Sequence, residues 1–424
     1  MRANMNSSVG QKRKGEDYSM KKFLAMALAL LMVAVLLPVT AMAAEVEVGT
    51  YDEFKNEVEA GNSVKFTADI SGNVNITTDT VLDLGGKTLT GSLNISNGAN
   101  VTIKNGTITC PGGQALNVLG TNTGNKTTLT IENDVEITAT GGFGVCIFGA
   151  DYTSSTGASV VNLNGCKITA MAGVFVSGNL QNEDGAVLNI NGATIISNPE
   201  IAVVVNGKVT VDVNNAFLEG NTALYIKAGT VNINNSTVKG IGDAMEPEPN
   251  GNGANSTGDA IVMDSKQGYA GDMKLNIAGG NTITSEKGYA LQVANTDVTT
   301  GTNVTELNIT GSTLTGKTDA VKLSEQFVTA VATENSGVTA TVTGGTFNGN
   351  TTVLENYLAD GKVIRNGKVV NKTITIIVPD DSTDTTTTTE KPANPATGAN
   401  DFVGAAAALA VMSLLGMAVA SRKK

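Results

Sequence analysis

The sequence predicts an all-β chain wound as a parallel β-solenoid of about ten coils. Three observations predict it. One short phrase recurs ten times, its fifth residue is Gly or Asn in every copy, and a second apolar-x-apolar phrase follows most copies. The ten copies read "LDLGGKTL" at Leu82, "VTIKNGTI" at Val101, "LTIENDVEI" at Leu129, "VNLNGCKI" at Val161, "LNINGATI" at Leu188, "VDVNNAFL" at Val211, "VNINNSTV" at Val231, "LNIAGGNTI" at Leu275, "LNITGSTL" at Leu307 and "ATVTGGTF" at Ala340. Positions one and three share one strand face and are apolar, whereas position two, mostly Asn, Thr or Asp, faces the other way. Gly and Asn tolerate the left-handed backbone best, so a sharp bend belongs at position five. A strand–bend–strand unit repeated once per coil is the mark of a solenoid.

The second phrase starts at Ala115, Gly144, Gly173, Ala202, Ala223, Ala260, Ala290 and Ala320, and gives each coil a third strand. Its flanking apolar residues point inward, so its middle residue points outward. The outward residues are Asn117, Cys146, Phe175, Val204, Tyr225, Val262, Gln292 and Lys322. The five from Cys146 to Val262 are apolar or aromatic, and stacking places them in one column. Two readings stay open: following loops fold back over the column, or the column is a contact surface. The loops after Val205 and Ile226 are short, so Val204 and Tyr225 are expected to be poorly covered.

Both ends of the solenoid carry closing elements. In "TYDEFKNEVEAG", Thr50 is the expected N-cap of a short helix and Glu53 its capping-box partner. Phe54 and Val58 share one helix face, and Gly61 ends it. This capping helix occupies 44–61, the coils 62–350, and the closing element "VLENYLADGKVIRNGKVV" belongs to 351–379. Solenoid ends need such cover because unpaired strand edges invite association.

The flanks have a different composition. Residues 1–43 hold a secretory signal: Lys21 and Lys22, an apolar run from Phe23 to Val39, and the small-x-small site Ala41-Met42-Ala43. Met20 is the better start, which makes 1–19 a mis-called start. Residues 380–397 form a Thr-rich, extended stalk. A second apolar run, 402–420, is long enough to span a bilayer and precedes Arg422, Lys423 and Lys424.

Charge and composition exclude some functions. The chain has no His and no Trp, and carries 28 basic and 39 acidic residues. The leader holds six basic and two acidic residues and the segment 398–424 three and one, leaving 19 and 36, or −17. Arg365 is the only Arg between them. Nucleic acid is therefore not an expected partner, since its recognition needs clustered cations. The insertion "KGIGDAMEPEPNGNGANSTGDA" carries Asp243, Glu246, Glu248 and Asp259, oxygen ligands of the kind that hold Ca²⁺. Their spacing lacks the alternate-acid pattern of a calcium loop, so a solvated acidic loop is expected and no cofactor is assigned. Of the three cysteines, Cys166 holds the position of Ala193, Ala216, Ser236 and Ser312 in sister copies, and reads as a small inward residue.

Two resemblances follow from these residues. The motif "NPATGAND", the span 402–420 and the basic tail resemble the cell-wall sorting signal (394–424) of Gram-positive surface proteins, with Asn394 where the usual motif has Leu. That resemblance implies cleavage by a sortase between Thr397 and Gly398, after Pro395, and attachment to peptidoglycan. The repeats resemble the right-handed parallel β-helix family that includes pectate lyases. That family is rich in polysaccharide lyases and hydrolases, which use paired carboxylates with His, Arg or Lys; here no catalytic set is recognised. The expected function is a non-catalytic, wall-anchored adhesin or surface-interaction rod contacting an environmental or host glycan or protein. The alternative is a divergent polysaccharide lyase or glycoside hydrolase.

Overall fold

The computed structural model describes residues 45–120, 125–148, 158–178, 185–250, 253–265, 271–295 and 304–372. The leader, the stalk, the sorting signal with Pro395, Thr397 and Gly398, and the expected span 402–420 lie outside the described residues. Among the described residues no helix is long and apolar enough to cross a membrane.

The chain is mostly β, and one long, parallel-dominated sheet carries it, wound coil upon coil as in a solenoid. Three strand stacks run along it. The first holds the opening half of each phrase: Leu188 lies beside Val211, Val211 beside Val231, Val231 beside Leu275 and Leu275 beside Leu307. The second holds the closing half, in which Ile168, Ile195, Leu218, Val238, Ile283 and Leu314 follow one another. The third holds the second phrase. Inward residues of all three stacks merge into one apolar core, and most of them are wholly buried.

The bends form as the residues demand. At the fifth position, seven of the ten copies have positive φ: Gly86, Asn105, Gly165, Gly192, Asn215, Asn235 and Gly279. Asn133, Gly311 and Gly344 turn without it. At Gly165 (φ 65°) a Cβ would also meet Asn133 at 2.8 Å, so both conformation and space require Gly.

Position two builds a second device. Asn189 donates to Asn162 at 2.8 Å, Asn232 to Asp212 at 2.7 Å, Asn276 to Asn232 at 2.7 Å and Asn308 to Asn276 at 2.9 Å. An amide both donates and accepts, so each coil satisfies the next along the ladder.

The ends differ in detail from expectation. Helix α1 (Tyr51–Glu59) has the capping box: Glu53 N donates to Thr50 Oγ1, and Thr50 N donates to Glu53 Oε2. Phe54 and Val58 are buried, and Phe54 meets Phe66 edge-on at 4.9 Å. However, Val46–Val48 already pairs in parallel with Val64–Phe66, so the stack starts before the helix rather than after it. Helix α2 (Glu325–Ala332), which the repeat pattern did not announce, interrupts the last coils; Ser324 caps it and Phe327 and Ala330 are buried. The closing element is a short helix α3 (Thr352–Glu355) and a hairpin, Lys362–Arg365 with Lys368–Asn371. That hairpin pairs antiparallel with the last coil, which ends the parallel ladder.

Two stability outcomes follow. Leu188→Ala removes a wholly buried side chain from the middle of the core and is expected to cost about 2–5 kcal/mol in urea unfolding. Gly165→Val is expected to destabilise as well, whereas Gly311→Ala, with open space around it and no positive φ, is expected to leave the midpoint nearly unchanged.

Candidate functional site: an apolar column beneath an inserted arm

The third stack sets the outward column in unbroken register. Asn117 lies beside Cys146, Cys146 beside Phe175, Phe175 beside Val204, Val204 beside Tyr225, and Tyr225 beside Val262. Gln292 and Lys322 continue it, while Asn75 and Asn94 extend it at the other end. Cys146, Phe175, Val204, Tyr225 and Val262 form an apolar cluster of their own, separate from the core, with Ile201.

This cluster is covered, which corrects the expectation for Val204 and Tyr225. Val204 is 4% exposed and Tyr225 0%. Loop length after each strand was a poor guide, because cover comes from elsewhere in the chain. Phe143, Phe148 and Ala254 pack against the cluster. Ala254 belongs to an insertion between coils, whose two limbs, Ile241–Asn250 and Gly253–Asp259, form an arm. The limbs pair as a small antiparallel hairpin, Pro249–Asn250 with Gly253–Ala254. The Asn255 side chain bonds Glu248 N and Glu246 O across them.

Cover is incomplete over the first half of the column. A pocket of about 380 Å³ remains there, lined by Phe143, Cys146, Phe148, Met171, Ala172, Phe175, Ile201, Val204 and Ala254, with Gln114 and Glu200 as its polar members. The Phe175 ring lies 5.6 Å from Phe143 and 5.7 Å from Phe148, both tilted. Three aromatic rings on rigid strands offer apolar contact at little entropic cost. Burial pushes the Cys146 thiol up to about 12, so it lines the pocket as a protonated thiol.

Over the second half, polar groups of neighbouring strands satisfy one another. Tyr225 Oη donates to Asp264 Oδ2 at 2.6 Å, and Asn295 Nδ2 donates to Asp264 Oδ1 at 2.7 Å. Burial, with the Asp264 carboxylate second, raises the Tyr225 hydroxyl well above its usual range. Two residues along each strand from the apolar column runs a buried polar row, Ser177, Asn206, Lys227 and Asp264. Burial holds the Lys227 ammonium below the usual lysine range, while Asp264 pulls it the other way. Sequence reasoning missed this row, although its signal was present: the four consecutive second phrases from Gly173 to Ala260 are each followed by a polar residue that a period of two returns to the outward face.

The four acidic residues of the insertion do not gather. Asp243 pairs with Lys287, Glu246 accepts from Lys322 and Gln292, and Asp259 is buried against the following coils. Among the described residues no three acidic, Cys or His groups stand at metal-binding separation. Arg365 sits in the closing hairpin, away from the column.

A second, polar groove of about 550 Å³ lies over the first bends, lined by Lys65, Asp83, Asn105, Asp134 and Glu136 among others. Two of its carboxylates hold the bends: Asp83 accepts from Gly85 N and Asn105 Nδ2 and pairs with Lys104, and Asp134 accepts from Asn105 N. No protein-family model matches the chain, and neither a curated protein nor a solved structure matches it.

Tyr225→Phe leaves the ring and removes the hydroxyl that satisfies a buried carboxylate. Its expected cost is about 1–3 kcal/mol in equilibrium unfolding.

Proposed function

We propose that this chain is an exported, sortase-anchored surface rod, a right-handed parallel β-helix of about ten coils, whose role is to bind a partner and not to catalyse. The observation that carries this reading is the aromatic pocket beside the outward column. It is a concave apolar site on rigid strands, the arrangement that ligand and partner sites favour. In this reading the signal 1–43 exports the chain, the sortase joins Thr397 to peptidoglycan, and the Thr-rich stalk 380–397 carries the rod outward. The membrane is involved only through 402–420, before sorting. The partner presents an apolar group to the three Phe rings, as an adhesin's host or environmental ligand would.

A second reading has one observation in its favour. The polar groove brings Asp83, Asp134 and Glu136 near Lys65, and carboxylates flanking a groove can run glycoside hydrolysis. Against it, Asp83 and Asp134 are already committed to backbone and side-chain donors, and the chain offers no His.

Incubating the protein with plant and host glycans, for binding and for cleavage, separates the two. Binding without product supports the rod, and product formation overturns it. Phe148→Asp places a charge in the half-buried wall of the pocket; it is expected to keep the fold by circular dichroism and to weaken partner binding at least tenfold, since burying that charge costs several kcal/mol. In cells, Thr397→Ala is expected to move the protein from the wall fraction to the membrane fraction; unchanged wall retention would remove the sortase step.

A further inference from the structure

We infer that the inserted arm, Ile241–Asn250 with Gly253–Asp259, is a pH-sensitive strap over the outward column, docked most tightly in mildly acid surroundings and loosened towards neutrality. The arm leaves the coil at Gly240 and returns at Asp259. It is latched at separate points. Glu246 accepts from Lys322 and from Gln292 Nε2, Asp243 pairs with Lys287, Thr257 N donates to Thr222 Oγ1 at 2.7 Å, and Ala254 lies on the apolar cluster.

Asp259, at the returning foot, is the misfit. It is 1% exposed. Its Oδ1 accepts from Tyr289 N at 2.7 Å, but its Oδ2 is buried with no hydrogen-bond partner. A buried carboxylate with one oxygen unsatisfied is costly when ionised and tolerable when neutral. Besides the Tyr289 amide and the Thr257 hydroxyl, which favour its ionised form, the charged and titratable groups that act on it are Glu246 on the opposite limb, Tyr225 on the preceding coil, and Lys322 on a later coil. Lys322 is shared: it pairs with Glu246 and lies 5.3 Å from the centre of the Tyr289 ring. Asp259 therefore has no cation of its own.

The sign follows from linkage. Burial raises the Asp259 carboxyl from 3.8 to about 6, so the docked arm prefers the proton. Docking weakens as pH rises from the undocked value to the docked one, and above that the effect is complete. Glu246 acts oppositely: its bond to Lys322 holds it below 4.5, so its latch is lost only in stronger acid. Of these two carboxyls it is Asp259 that changes between pH 5 and 7.5, and the opening equilibrium of the arm rises about tenfold. Opening removes Ala254 from the wall of the pocket and frees Gln292, which lies beside Val262 in the column.

Hydrogen–deuterium exchange on the whole protein tests this without any ligand. After correction for intrinsic rates, arm amides in 241–248 and 255–258 are expected to exchange about tenfold faster at pH 7.5 than at pH 5. Asp259→Asn, neutral and isosteric, is expected to exchange slowly at both. Glu246→Gln is expected to exchange faster at both while keeping the ratio. Equal wild-type rates at the two pH values, an unchanged ratio in Asp259→Asn, or loss of the ratio in Glu246→Gln would each overturn the strap.

Discussion

Parallel register between successive coils is the constraint on which everything else rests. Each strand hydrogen-bonds to the same strand of the coils before and after it, so a residue is flanked by its counterparts about 4.8 Å away. A slip of one residue would turn every apolar side chain of that coil outward. The recurring Val, Leu and Ile at positions one and three are the record of that requirement. So is the Asn ladder, because only a group that donates and accepts can satisfy identical neighbours on both sides. Register thus couples the core to the surface: whatever is fixed inside a coil fixes what stacks outside it.

That coupling builds the candidate site. Cys146, Phe175, Val204, Tyr225 and Val262 are adjacent for the same reason that the core residues between them are. An outward apolar column must then be covered or used. Over its second half Tyr225 and Asp264 satisfy one another, and the arm reaches the column through Glu246 on Gln292. Over its first half the Phe rings leave a pocket. One row of side chains is therefore a second core at one end and the wall of a pocket at the other.

Electrostatics follows the same division. Where the chain is covered, charged groups are shifted: Asp259 upward and Lys227 downward, both by burial. Where it is open, acidic residues pair with Lys and remain ionised, as Glu246 and Asp243 do. The arm spans both regimes, held by exposed ion pairs at its middle and by a buried carboxyl at its foot. Exposed pairs of this kind contribute little each, so the foot decides how the arm responds to its surroundings.

The solenoid, its bends, the capping box at Thr50 and the membership of the outward column were legible in the sequence, because each depends on contacts at a spacing of two or three residues or of one coil. Helix α2 was less visible, since eight residues with two buried side chains make a weak period among strands. The cover over Val204 and Tyr225 and the isolation of Asp259 were decided only by the tertiary structure. They arise where an insertion meets coils remote from it in sequence, as when Glu246 reaches Lys322. Repetition determines what stacks upon what; an insertion obeys no repeat, and its landing place is set by the surface that the coils have already built.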